Sequence, residues 1–181
     1  MLKNPLYLIK GVFGRTFYIF PQRPERIQIE ITNRCNYTCG MCPRESFNLP
    51  EKDIPLDLFK KIIDRLAPFS EKGLETPYNV TLTGWGEPLI HPALMDMIVY
   101  AKDKGHNVGV TTNGLLLAPF IEKFIEKSLE KLTISLDSVE EGVEVKEGHP
   151  SNKVVQKNIE SLIRSRGDKK KPMITIQITM H

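Results

Sequence analysis

Cysteine is scarce in this sequence: there are three, all within one eight-residue stretch. Clustered so tightly they form no disulfide framework, and an oxidising compartment would suit them badly. An excess of one charge is also lacking. Lys and Arg number 25 against 22 Asp and Glu, a net charge of +3, too mild to imply a nucleic acid or an anionic membrane as partner. No apolar run reaches the roughly 18 residues of a spanning helix. The apolar stretches 6–9 and 12–20 are broken by Lys10, Gly11, Gly14 and Arg15, and no small-residue cleavage site follows them. These absences point to a cytoplasmic protein without a membrane span or a nucleic-acid partner. What is present is an ordinary globular composition, 40% hydrophobic and 26% charged, in a chain long enough for one domain with a substantial core.

Residues 1–26 read as an N-terminal extension that packs on the domain or on a partner. Phe13, Phe17, Tyr18 and Phe20 also suit a peripheral membrane contact. Pro21 and Pro24 punctuate its end. From residue 27 onward, short apolar runs alternate with amphipathic helical patterns. Strands are expected at 27–31, 79–83, 107–111, 132–136 and 173–180. Between them, apolar faces mark four helices: Leu56, Phe59, Ile62, Ile63 and Leu66; Leu94, Met97, Ile98 and Ala101; Phe120, Ile121, Phe124, Ile125 and Leu129; Val154, Val155, Ile159, Leu162 and Ile163. This alternation predicts parallel βαβ units with the helices outside. The unusual residues lie at or beyond the carboxyl ends of successive strands. A barrel gathers those ends on one rim, whereas an open doubly wound sheet spreads them along an edge. A partial (β/α) barrel of parallel strands, an α/β fold over 27–181, is therefore expected.

The first strand leads into Cys35-Asn36-Tyr37-Thr38-Cys39-Gly40-Met41-Cys42. Three thiolates on one loop suit zinc, Cu(I) or an iron–sulfur cluster. A closed zinc site and most clusters want four protein ligands, and no fourth cysteine exists. A four-iron cluster on three thiolates keeps one iron open to another ligand. Zinc completed by a histidine or a carboxylate is the competing reading, although His91, His106 and His149 show no ligand-like pairing.

The Cys-x-x-x-Cys-x-x-Cys pattern resembles the signature of the radical S-adenosylmethionine (radical SAM) enzymes. Thr32-Asn33-Arg34 before it and Pro43-Arg44 after it resemble the subgroup that often carries a SPASM or twitch extension, although Met41 stands where many members have an aromatic residue. The resemblance implies that Cys35, Cys39 and Cys42 hold a 4Fe–4S cluster. Its open iron would be chelated by the amino and carboxylate groups of S-adenosylmethionine, and reductive cleavage of that cofactor would yield a 5′-deoxyadenosyl radical for hydrogen abstraction. It implies further a flavodoxin or ferredoxin as electron donor, and a peptide or small-molecule substrate in peptide or cofactor maturation.

Gly84-Trp85-Gly86-Glu87-Pro88 resembles the family's Gly-Gly-Glu-Pro motif. It implies that Gly86, Glu87 and Pro88 form the cofactor turn, with Glu87 facing the ammonium group. Thr112-Asn113-Gly114 also recurs in the family beside the cofactor, which makes Asn113 a candidate. Ser135 and Asp137 match residues that meet the ribose hydroxyls or the methionine part; two positions apart on a strand, they share a side. Trp85 is a candidate cofactor wall or a core residue. The ordinary readings are a tight turn, an Asn-Gly bend and a capped strand end. Two further functions stay open, a zinc-binding structural protein and an inactive barrel used as a binding module. Barrels of this family usually have six strands, and here the fifth ends the sequence. The chain is thus expected to be part of a larger unit, with association through its open final strand.

Overall fold

The computed structural model describes residues 8–10, 16–18, 26–39, 42–66, 69–71, 74–76, 79–136 and 152–178. In chain order its strands are β1 (Leu8–Lys10), β2 (Thr16–Tyr18), β3 (Arg26–Ile29), β4 (Phe69–Glu71), β5 (Leu74–Thr76), β6 (Asn79–Leu82), β7 (Asn107–Thr112), β8 (Lys131–Leu136) and β9 (Met173–Ile178). Its α-helices are α1 (Leu56–Arg65), α2 (Leu94–Asp103), α3 (Ile121–Glu126) and α4 (Asn152–Arg166). The strand and helix expected in each βα unit are present, with ends shifted by a few residues. Two hairpins were not expected. β1 pairs with β2 inside the N-terminal extension, and β4 pairs with β5 between α1 and β6. Neither shows clear period-two alternation, so pattern reading passes over them.

The main sheet has five parallel strands in the order β3-β6-β7-β8-β9. That order follows the chain without reversal, so the sheet has no topological switch point of the kind an open doubly wound fold uses. It is a partial (β/α) barrel. Register brings Leu82 beside Val110, Val110 beside Leu132, and Thr112 beside Ile134. Alternation along each strand then separates two faces. One carries Val80, Leu82, Val108, Val110, Leu132, Ile134 and Leu136, all buried, and forms the core with Phe59, Ile63, Met97, Ile98 and Phe124 from the helices. The other carries Gln28, Thr81, Gly109, Thr111, Thr133 and Ser135. Strands of parallel sheets usually read as continuous apolar runs, so this row of small and polar residues marks a face that is not ordinary core.

Phe59 of α1 is fully buried in that core. Phe59→Ala removes its contacts and leaves a cavity, so unfolding in denaturant should show a loss of about 3–5 kcal/mol. A loss under 1 kcal/mol on the same assay would mean that α1 is not seated as described. The helix faces are narrower than the sequence suggests. In α4 the buried stripe is Val155, Ile159 and Leu162, while Val154 and Ile163 are exposed. The latter two flank a stripe already satisfied by an i, i+4, i+7 row. Period-two alternation in 173–180 is the pattern of a strand buried on at least one face, and β9 departs from it. Met173, Ile176 and Ile178 are exposed, and Ile174 alone packs against the core. Among the described residues β9 pairs with β8 alone, at the edge of the sheet, where fewer neighbours reach it. No helix among the described residues is long and apolar enough to cross a membrane.

Candidate functional site

The cysteine loop leaves β3 through Ile31 and Thr32, both nearly inaccessible. Thr32 forms an antiparallel bridge with Asp53. Its hydroxyl donates to Asp53 Oδ1 at 2.6 Å and accepts the Arg34 N–H at 3.1 Å. Arg34 then clasps the same carboxylate at both oxygens, Nε to Oδ1 at 2.9 Å and Nη2 to Oδ2 at 2.6 Å. Bidentate pairing of this kind gives direction as well as attraction. Burial pushes the Asp53 carboxyl up, but the hydrogen bonds from Arg34 and Thr32 outweigh it and hold it below the usual range. Asn33 adds Nδ2 to Pro50 O at 3.0 Å and accepts the Lys52 N–H at 2.6 Å. Thr-Asn-Arg before the first cysteine is thus a clamp that ties the loop entry to residues 50–54. Sequence reading noted those three residues only as part of a resemblance. Their partner, Asp53, carried no local signal because it lies about twenty residues away.

Within the loop, the Tyr37 N–H points to Cys35 Sγ at 3.4 Å, and the Cys42 N–H closes a turn on Cys39 O at 2.9 Å. None of the three cysteines is in a disulfide, and all are partly exposed. Burial pushes the Cys35 thiol up, with the Glu87 and Cys42 charges adding to it, while the Tyr37 N–H and Arg44 act the other way. A metal centre that takes this sulfur as thiolate must therefore displace a proton, which makes its binding pH-dependent. Among the described residues no three His, Cys, Asp or Glu side chains stand close enough to share one metal ion. The donor set fits a cluster: three soft sulfurs, one loop, and no fourth.

The turn after β6 closes directly over this loop. Glu87 N–H donates to Arg34 O at 2.8 Å, and a Cβ at Gly86 would overlap the Thr32 carbonyl and lie 2.8 Å from Arg34 O. Only glycine allows so close an approach. Trp85 N–H donates to Glu30 Oε1 at 2.6 Å, and its indole, half exposed, meets Phe47 edge-on with centroids 6.0 Å apart. Trp85 is therefore not a core residue. Pro88 opens a short 3-10 turn, Pro88–Ile90, which Glu87 caps by accepting the Leu89 N–H at 3.0 Å. The Glu87 side chain is only 2% exposed. Its Oε1 also accepts from Thr112 Oγ1 at 2.7 Å, and its Oε2 accepts the Asn113 N–H at 2.8 Å. A carboxylate has about four acceptor positions, so three internal bonds leave one on Oε2.

Burial holds the Glu87 carboxyl above its usual range, against the Asn113, Leu89 and Thr112 donors. A carboxyl raised in the folded state contributes stability that is complete below its unfolded value and is lost as pH rises through the folded one. Glu87→Gln cannot titrate. Denaturant titrations from about pH 4 to 8 should show wild-type stability falling relative to that variant as pH rises. Parallel profiles would mean that the side chain does not titrate in this environment.

The third strand end joins the same network. Asn113 Nδ2 donates to Asn36 Oδ1 at 2.8 Å, linking the β7 end to the cysteine loop. Asn158 of α4 supports the bend from behind, its Nδ2 donating to Gly114 O and Leu115 O at 2.9 and 3.1 Å. Ser135 lies at the end of β8 on the polar face of the sheet, paired in register with Gln177. Asp137, Met41 and His149 lie outside the described residues. His91 is buried, its Nδ1 accepting the Ala93 N–H at 3.1 Å and its Nε2 3.0 Å from Ile54 O. Both ring nitrogens are thus engaged structurally. Sequence reading missed Thr112 and Asn36, whose roles exist only across elements.

One rim thus assembles the cysteine loop, the Gly-Glu-Pro turn and the Asn-Gly bend through hydrogen bonds that cross three strand ends. The profile of the radical SAM superfamily matches residues 29–181, most of the chain and all of this rim. The chain belongs to the radical SAM superfamily. Members of this superfamily are enzymes that bind a 4Fe–4S cluster and S-adenosylmethionine. Among curated proteins, the chain is 31% identical over 158 residues to the tungsten-containing aldehyde ferredoxin oxidoreductase cofactor-modifying protein of Pyrococcus furiosus, covering 85% of this chain and 43% of that protein. It is 32% identical over 128 residues to GTP 3′,8-cyclase of Staphylococcus haemolyticus, covering 67% and 36%. The chain therefore spans about two fifths of the length of these curated relatives. Among solved structures, the fold is similar to BtrN in complex with AdoMet and 2-DOIA, with TM-score 0.61 and 16% identity over 88% of this chain and 58% of that one. It is likewise similar to anSMEcpe with bound AdoMet, with TM-score 0.63 and 18% identity over 85% and 42%. At these identities the likeness shows a shared fold.

Proposed function

We propose that this chain is the cluster- and cofactor-binding core, residues 27–181, of a radical SAM enzyme of cofactor or peptide maturation. The observation that carries it is the single network joining the three-cysteine loop to the Gly86-Glu87 turn and Asn113. Cys35, Cys39 and Cys42 hold the cluster. When bound, the cluster supplies the electron that breaks the sulfonium bond of S-adenosylmethionine and so provides a 5′-deoxyadenosyl radical for hydrogen abstraction.

The chain's own residues hold and orient. Glu87 offers its remaining Oε2 position, and the backbone around Gly86 its carbonyls, to the ammonium group. Pro88 and Thr112 keep that turn in place. Asn113 ties it to the loop. Ser135 on the polar face, with Asp137 two residues on, faces the ribose side. The name of the Pyrococcus furiosus relative, a cofactor-modifying protein, favours a substrate on the way to a cofactor. A flavodoxin or ferredoxin supplies the electron, and the cytosol suits its exposed, oxygen-sensitive thiols. The polar row Thr81, Thr111, Thr133 and Ser135 supports a wet, ligand-facing interior.

Anaerobic reconstitution with iron and sulfide, followed by dithionite and S-adenosylmethionine, tests this reading. The expected product holds about four irons and four sulfides per chain and releases 5′-deoxyadenosine. Stoichiometric zinc without acid-labile sulfide would make the chain a zinc protein. A full cluster with no cofactor cleavage would make it an inert barrel.

A further inference from the structure

Asn36 sits between the first cysteine and the rest of the cluster loop, and its side-chain amide is unevenly used. The Leu115 N–H donates to Asn113 Oδ1 at 3.1 Å, which fixes the way round of the Asn113 amide. Its Nδ2 is thereby turned toward Asn36, where it meets Oδ1 at 2.8 Å. That contact in turn fixes the Asn36 amide, because a donor facing a donor would repel. Asn36 Nδ2 is left pointing the other way. It is buried and has no hydrogen-bond partner among the described residues. A buried N–H without an acceptor is costly, and such orphans in a folded protein call for an explanation.

The missing acceptor belongs to something bound at this loop. The Cys35 thiol points to Asn36 Oδ1 at 4.0 Å, so the acceptor end of this amide lies beside the first ligand position. The Tyr37 N–H already points to that sulfur. Sulfurs of a cluster accept N–H hydrogen bonds that help set its potential, and the orphan Asn36 donor lies on the loop that would carry one. We infer that Asn36, held in orientation by Asn113, donates its Nδ2–H to a sulfur of the cluster carried by this loop and raises the cluster's reduction potential. The inference rests on the proposed cluster. Asn113 is then a positioning residue that acts through Asn36. The physical reason for the sign is charge. Reduction adds an electron to the cluster, and a fixed N–H dipole stabilises the more negative state. The same donor would also suit the carboxylate of S-adenosylmethionine, the other anionic acceptor at an open iron.

The test uses the full chain, reconstituted anaerobically, as wild type, Asn36→Ala, Asn113→Ala and the double variant. Iron and sulfide are counted first, then the midpoint potential is measured without S-adenosylmethionine, then its affinity by calorimetry. Loss of one hydrogen bond to the reduced state should lower the reduced-to-oxidised ratio at a fixed potential about tenfold, about 59 mV for one electron. Asn113→Ala should shift the midpoint the same way by less, and the double variant should match Asn36→Ala, since both act through one amide. A wild type without a cluster sinks the functional reading itself. Loaded variants with an unchanged midpoint overturn this inference alone. Weaker S-adenosylmethionine binding at an unchanged midpoint assigns the donor to the carboxylate and overturns the sulfur. Should Asn36→Ala fail to take up iron, Asn113→Ala, which lies outside the loop, decides by the same midpoint measurement.

Discussion

Replacing any one of Cys35, Cys39 or Cys42 by alanine is expected to abolish stable cluster assembly, with iron content falling from about four per chain to well under one. The three thiols are the only cysteines in the sequence, so no spare sulfur can take over a lost position. The cluster already uses one fewer protein ligand than most. Taking it to two leaves a second iron without a thiolate. Fold stability should change little, because all three cysteines are partly exposed and none belongs to the apolar core. Circular dichroism and denaturant unfolding of the apoprotein check that half of the expectation. Iron and acid-labile sulfide assays after identical anaerobic reconstitution check the other. Retention of a full cluster by any single variant would show that another side chain, a histidine or a carboxylate, serves as ligand.

Gly86→Ala is expected to act at a distance from the cysteines yet damage the same site. Its new methyl group would overlap the Thr32 carbonyl and press on Arg34 O, both of them backbone. Neither can swing aside as a side chain can. The turn must lift, which breaks the 2.8 Å bond from Glu87 N–H to Arg34 O and disturbs the three internal bonds of the Glu87 carboxylate. Overpacking of this kind costs about 1–3 kcal/mol and occasionally more. If half of that falls on the cofactor-competent geometry, affinity for S-adenosylmethionine drops about two- to tenfold. Gly105→Ala is the control. Its φ is +82° but nothing lies within 4 Å of the added methyl group, so it pays only the left-handed penalty of about 1–2 kcal/mol and should leave cofactor affinity unchanged. Similar affinity losses in both variants would mean that general destabilisation, rather than the turn, is responsible.

Much of this architecture is legible from local pattern. Alternation in 27–31 and 132–136 and the apolar stripe of α1 concern neighbours in sequence, and their physics is that of side-chain period and burial. The three cysteines are legible for a similar reason: ligands on one short loop are close in space whatever the rest of the chain does. The Gly-Trp-Gly-Glu-Pro turn could be recognised as unusual because its glycines have no reason to recur in a simple strand–helix link. The β4–β5 hairpin and the exposure of β9 were not legible. The first lacks a periodic signal, and the second depends on where the strand sits in the sheet.

Sequence alone determined the soft donor set, its count of three, the βαβ alternation and the placement of each unusual motif beyond a strand. Those properties are local, set by residue type and spacing. Only the tertiary structure decided what the motifs do to one another. It turned the Glu87 carboxylate inward onto Thr112 and Asn113, fastened the loop entry by Arg34 to Asp53, and joined Asn36 to Asn113 across 77 residues of chain. It also ordered the strands without a reversal, which chose a barrel arc over an open sheet. The physical reason is that a hydrogen bond is specified by distance and direction between two groups. For groups from different strands, both quantities are set by strand register and sheet curvature, neither of which is written at either residue.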